Sequence, residues 1–298
     1  MRVGVMILPE SPWATAERQW RTVDDLGFDS GWTLDHLWWR SLSEGPWFST
    51  FPFLTAAATA TSRIRIGTMV TSPNFRHPLI VAKDAVTLDD VSGGRFTLGM
   101  GAGATRAGDT YAVDSAPLSP VERADRFQEF VTLVDTLLRE PAADHTGRYY
   151  AVNGARMYPG CVQEPRLPIA IAAAGPRGQD LAARYGDAWV SCGPLDVARP
   201  WSQDEFREAV RAQLRGLARA CERVGREFGD LGRIVVTTDV TGELLRSAEA
   251  FLDQARRYAD LGVTEIIIQW PRAEGVYAGD PAVLEDIAAK ALPRLRDL

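Results

Sequence analysis

Leu79-Ile80-Val81-Ala82-Lys83-Asp84-Ala85-Val86-Thr87-Leu88-Asp89-Asp90-Val91-Ser92-Gly93-Gly94-Arg95-Phe96-Thr97-Leu98-Gly99-Met100-Gly101-Ala102-Gly103 decides the fold. The periodic run Leu79–Val91 reads as a helix. Ser92-Gly93-Gly94 ends it, because glycine tolerates the left-handed conformation that follows a helix C-terminus. Arg95-Phe96-Thr97-Leu98-Gly99-Met100 then starts a strand. The stretch is one helix-to-strand joint, and such joints recur along the chain.

Upstream, Val3–Ile7 predicts a first strand, Ala14–Leu26 a helix ending at Gly27, and Phe28–Leu34 a second strand. Pro52–Ala60 predicts a helix and Ile64–Val70 a third strand. Downstream, a helix runs from Pro120 to about Glu140, and Ile169–Ala173, Asp187–Cys192, Ile234–Asp239 and Thr264–Gln269 supply four more strands. Short strands alternating with longer helices predict parallel pairing through crossover helices. Eight even units fit an α/β fold of the (β/α)₈ TIM-barrel type better than an open doubly wound sheet. The expectation is a single domain over residues 1–298 with an insertion before strand five at about 141–167.

Composition narrows the function. A 46% hydrophobic, 24% charged chain of net charge −6 has core enough for a globular enzyme. Lysine occurs only at Lys83 and Lys290, and no basic patch interleaved with aromatics marks a nucleic-acid surface. No apolar run approaches the ~20 residues that span a bilayer, and the apolar start after Met1 is too short for a signal peptide. A cytoplasmic protein acting on a small molecule, with no nucleic-acid or membrane partner, is expected. Cys161, Cys192 and Cys221 have neither disulfide nor zinc spacing, and of just three histidines His77 and His145 lack ligand spacing around carboxylates, so no metal is expected.

In such a barrel chemistry sits where strands give way to the following loops. Asp35-His36 follows strand two. Neighbouring strand side chains face opposite ways, so one of the pair faces the cavity and the other anchors the loop. The pair lies at a cofactor ring or is a loop-fixing contact. Pro73 and Pro78 bracket an extended stretch holding Asn74, Arg76 and His77 near the mouth, where Arg76 binds an anion or pins the loop. Gly99-Met100-Gly101-Ala102-Gly103-Ala104 is no dinucleotide fingerprint, since a long loop separates it from the next helix. Its small residues at Gly101, Ala102 and Gly103 let a flat ring approach the backbone. Ala173-Ala174-Gly175-Pro176-Arg177 leads into a helix predicted over Gly178–Arg184 and is either a phosphate-holding turn or a plain connection. Trp38, Trp39 and Trp47, with Phe48, Phe51 and Phe53, either wall an apolar substrate pocket or are buried in core or interface.

Together Asp35-His36, Pro73–Pro78, Thr87–Phe96 with Leu98–Gly103, and Pro168–Pro176 with Leu181–Asp187 resemble the luciferase-like monooxygenase superfamily, more closely its deazaflavin-dependent branch. The resemblance implies coenzyme F420, or FMN as the alternative, with the insertion covering the mouth and a homodimer as the assembly. It places Asp35 and His36 by the ring, a bulged, often cis, non-proline Met69-Val70 peptide behind it, and Ala173, Ala174, Gly175 and Pro176 at the coenzyme phosphate. Relatives that oxidise sugar phosphates carry a glutamate where this chain has Ala104 and bind the phosphate with lysines, so a sugar-phosphate substrate is not expected. The implied reaction is hydride exchange with the deazaflavin C5, reducing an activated C=C or C=N bond, with His36 moving the proton. Oxygen chemistry on reduced FMN and a non-catalytic flavin-binding barrel are the other readings.

Overall fold

A computed structural model describes residues 1–103, 112–113, 118–194, 201–237 and 241–296. The elements are β1 (Arg2–Met6), α1 (Trp13–Asp25), β2 (Ser30–Thr33), α2 (Thr50–Ala60), β3 (Arg65–Thr68), α3 (Pro78–Val91), β4 (Phe96–Gly101), α4 (Pro120–Arg139), β5 (Ala142–Thr146), β6 (Ala151–Arg156), β7 (Ile169–Ala172), α5 (Pro176–Tyr185), β8 (Ala188–Ser191), α6 (Gln203–Val224), β9 (Gly232–Val236), α7 (Thr241–Leu244), α8 (Ala248–Asp260), β10 (Glu265–Gln269), α9 (Ala282–Lys290) and α10 (Leu292–Leu295). Eight of the strands close a parallel barrel in the order β1-β10-β9-β8-β7-β4-β3-β2, and β5-β6 form a separate pair. The expected (β/α)₈ architecture is therefore what the chain adopts, each barrel strand lying within one or two residues of its predicted bounds at the start and within three at the end.

Alternation along the strands divides the apolar residues into two cores. Val3, Val5, Ile66, Phe96, Leu98, Ile169, Ile171, Val235, Ile266 and Ile268 face the helices, whereas Met6, Leu8, Trp32, Met69, Ala170, Val190, Ile234 and Ile267 fill the barrel. Trp32 is the large interior side chain, and glycines make room for it. A Cβ on Gly67 would lie 2.4 Å from the Trp32 ring, and one on Gly4 would lie 3.0 Å from its Nε1. Below, Trp32 Nε1 donates to Ser30 Oγ (2.7 Å), and Ser30 donates to Glu265 (2.5 Å). Arg2 pairs with the same carboxylate at 3.3 Å, while burial pushes the Glu265 carboxyl above its ordinary range.

The N-terminal end of the barrel is fixed by charged side chains on backbone groups. Asp24 accepts from the amides of Ser62, Arg63 and Ile64. Arg95 donates to the carbonyls of Ala58, Thr61, Ile64 and Ser92. Buried Arg166 joins Asp135 (2.7 Å) to Asp187 (2.5 Å). These contacts satisfy loop carbonyls and amides far from the mouth, and their role is stability.

The insertion before strand five folds as the β5-β6 hairpin. It packs against α3 and α4. Glu129 on α4 accepts from the amides of Arg148, Tyr149 and Tyr150 and contacts His145 at 3.1 Å. Further along, Lys83 on α3 donates to Tyr158 O, and Asp89 accepts from the amides of Val162 and Gln163.

Candidate functional site

The ladder between β3 and β4 pairs Ile66 with Phe96 and Gly67 with Thr97, then breaks. It resumes as a single bridge between Thr71 and Met100. Between these points the Met69-Val70 peptide is cis, and the chain bulges at the C-terminal mouth. Thr68 Oγ1 holds the break, donating to Gly99 O (2.9 Å) and accepting from Gly99 N (3.0 Å). Met69 N reaches Thr33 O on β2. The resemblance anticipated this peptide and its geometry.

Opposite the bulge, the interior positions of β4 and β7 are Gly99, Gly101, Ala170 and Ala172, paired side by side in the sheet. A Cβ on Gly101 would sit 2.5 Å from Val70 Cγ2, and one on Gly99 would strike Thr68 O at 1.9 Å. The glycines thus let the bulge close down on β4 and leave a shelf of small side chains at the mouth. Ala102 and Gly103 extend it, and Gly103 (φ +76°) packs so tightly on Asn74 that a Cβ would lie 2.4 Å from its amide. A planar tricyclic ring fits such a shelf, where larger side chains would fill the space it needs.

Asp35 and His36 separate as strand alternation requires. Asp35 is completely buried and accepts from Arg76 through Nη2 (2.7 Å) and Nε (3.2 Å). The guanidinium also lies over the rings of Phe51 and Phe75. Arg76 therefore pins the loop, and Asp35 is the anchor. His36 is half-buried two residues beyond Leu34, which packs on the barrel interior. Its ring lies 4.4 Å from that of Trp39, and its carbonyl accepts from Trp47 Nε1 (2.8 Å). Thr50 Oγ1 fixes the loop once more at Leu34 O. Trp47 packs on the interior cluster, Trp39 stacks between His36 and Arg40, and Trp38 is half-buried. Phe51 and Phe53 belong to the core outside the barrel.

After β7, Gly175 caps α5 with no side-chain hydrogen bond, and the helix starts at Pro176, two residues earlier than predicted. A Cβ on Gly175 would meet nothing within 4 Å, so the chain is open at this N-cap, and helix N-termini can hold anions. Arg177, which follows Pro176 in that turn, is paired with Asp125 on α4. His77 caps α3 through Nδ1, and His145 lies on the hairpin. Two arginines that sequence reading missed reach the mouth from α4. Arg123 donates to Gly103 O (2.7 Å) and Arg126 to Asn74 Oδ1 (2.8 Å), contacts of 20 and 52 residues' separation that no local pattern announces. Gln269 was also missed, although a polar residue ending Ile266-Ile267-Ile268 on the interior parity is visible in the sequence. Ala104 and, of residues 106–117, all but 112 and 113 lie outside the described residues.

The fold and mouth define a parallel barrel with a bulged strand facing a small-residue shelf. The chain belongs to the luciferase-like monooxygenase family, whose model matches residues 1–286. It is 33% identical over 176 residues to an F420-dependent glucose-6-phosphate dehydrogenase of Microbacterium testaceum (strain StLB037), covering 58% of this chain and 51% of the relative. It is 34% identical over 174 residues to 4-hydroxyprotoasukamycin monooxygenase of Streptomyces nodosus subsp. asukaensis, covering 57% and 45%. The chain spans about half the length of the curated relatives it matches. Among solved structures, an F420-dependent secondary alcohol dehydrogenase in complex with an F420-acetone adduct superposes with a TM-score of 0.81 at 18% identity, over 99% of each chain, which speaks for the fold.

Proposed function

We propose that the protein is a coenzyme F420-dependent oxidoreductase acting on a small organic substrate by reducing an activated C=C or C=N bond. The observation that carries this reading is the Met69-Val70 bulge facing the Gly99, Gly101 and Ala172 shelf. Bound there, the deazaflavin would supply a hydride donor or acceptor at its C5. Met69 and Val70 would back the ring, Gly101, Ala102 and Gly103 would let it approach β4, and Ala173 to Pro176 would hold the phosphate at the start of α5. His36 would hold and move the proton at the mouth, while Asp35 fixes its loop through Arg76. Trp38, Trp39 and Trp47 would wall the substrate, and a cytoplasmic homodimer belongs to the same reading.

The relatives named as glucose-6-phosphate dehydrogenases do not carry their substrate over. Lys83 donates to Tyr158 O on the flank (3.2 Å), and Lys290 pairs with Asp286 within α9 (2.8 Å). Neither lysine of this chain serves a substrate phosphate at the mouth.

Titrating the protein with deazaflavin coenzyme and, separately, with FMN, following quenching of its nine tryptophans, tests the cofactor. Selective binding of the deazaflavin is expected. Selective binding of FMN would move the case to oxygen chemistry, in line with the monooxygenase among the relatives. Gly101→Val is expected to weaken coenzyme binding by about ten- to a hundredfold, as over-packing costing about 1–3 kcal/mol predicts when the bulge is pushed off β4. Unchanged affinity in that variant would place the ring elsewhere.

A further inference from the structure

Gln269 ends β10 beside Met6 of β1. It follows Glu265 and Ile267 on the interior parity and is 1% exposed. One end of its amide lies 3.2 Å from Met6 O. A carbonyl only accepts, so that end is the Nε2 donor and the other is the Oε1 acceptor. Oε1 is buried and has no hydrogen-bond partner among the described residues. A buried acceptor left unsatisfied is costly, and its retention at a barrel mouth calls for a donor brought by a ligand.

In the barrel order β10 stands four strands from β4 in either direction. Gln269 therefore faces the shelf from the opposite wall, on the side where a molecule lying over the ring would be. Gln269 also lines a cleft of about 430 Å³, together with Leu8, Glu10, Trp270 and Arg272. That volume is within the range of small-molecule pockets. Its one cationic group is neutralised, since Arg272 donates to Glu10 through Nε (2.7 Å) and Nη2 (2.9 Å).

We propose that Gln269 selects the substrate: its Oε1 accepts a hydrogen bond from an O–H or N–H of a neutral, largely apolar molecule held between the shelf and the β1-β10 side of the mouth. The assignment rests on the coenzyme reading above, which puts the ring on the β4-β7 side. An anionic substrate is disfavoured, because neither Gln269 Oε1 nor the closed Glu10-Arg272 pair attracts negative charge.

The test uses wild type, Gln269→Leu and Gln269→Glu. Each is titrated first with deazaflavin coenzyme by tryptophan quenching, then, once saturated, with cyclohexanol and with methoxycyclohexane by calorimetry. The two probes share a body and differ in the O–H donor. Wild type and Gln269→Glu are expected to prefer the alcohol by about tenfold, Gln269→Leu to lose the preference, and coenzyme affinity to stay within about twofold throughout. Absence of the preference in wild type, or its survival in Gln269→Leu, overturns the proposal. So does a tenfold loss of coenzyme affinity in Gln269→Leu with the preference intact, which would put the donor on the coenzyme. If wild type binds no coenzyme, the cofactor reading fails instead, and the same probe comparison on the apoprotein still judges Gln269. Should Gln269→Leu not fold, Gln269→Met is read by the same criteria.

Discussion

His36→Ala is expected to slow turnover by about 10²–10⁴-fold, the usual worth of a positioned general acid or base, while coenzyme affinity moves by less than about twofold. The geometry leaves His36 as the histidine for this task. His77 Nδ1 is engaged with the Leu79 amide at the start of α3, and His145 sits with Glu129 on the outer flank. Asp35, the other group at the end of β2, gives both carboxylate oxygens to Arg76. His36 lies at the end of β2 on the interior parity, with Trp47 on its carbonyl and the Trp39 ring beside its own. The rise of oxidised-deazaflavin absorbance on mixing reduced coenzyme and enzyme with a substrate that wild type reduces measures the effect, and added imidazole is expected to restore part of the rate. A variant with wild-type turnover would remove His36 from the chemistry.

The barrel was legible because its strands are marked by residue types that hydrogen-bonded ladders favour. Ile64 to Thr68, Ile169 to Ile171 and Glu265 to Ile268 are short, branched and bounded by turns, and each became a barrel strand. The β5-β6 hairpin was not legible. Ala142-Ala143-Asp144-His145-Thr146 has neither branched nor aromatic density, and its pairing is supported by Glu129 of α4, a contact spread over the turn at residues 147–150. At the site, the same alternation rule that put Asp35 and His36 on opposite sides held. Which of them faced the mouth depended on Arg76, 41 residues away, and no local pattern carries a pair of that separation. Arg177 shows the same limit: the sequence places a cation next to a helix start, and its pairing with Asp125 on the neighbouring helix is a contact no local pattern carries.

Arg76→Ala is expected to destabilise the fold by about 3–5 kcal/mol, the largest loss of stability among these variants, because it leaves a buried carboxylate without its counter-ion. Asp35 has no exposed surface and the Arg76 side chain is 18% exposed, so solvent does little to screen the pair. The effect should depend on pH with a definite sign. Burial already raises the pKa of Asp84, the Arg76 charge offsets part of that rise, and Asp35 adds to it. Removing the arginine pushes Asp84 further up, so the part of the deficit it carries is complete above its folded-state pKa and shrinks as pH falls through that value. Urea unfolding of wild type and variant at neutral and mildly acidic pH measures this, and a stability gap that widens on acidification would contradict it. Arg76→Lys should recover only part of the loss, since an ammonium cannot reproduce the two-point contact with Asp35 or the stacking on Phe51 and Phe75. Because the same pair fixes the turn that carries His36, the lysine variant is expected to lose turnover more than stability, the pattern of a residue that positions the site through the fold.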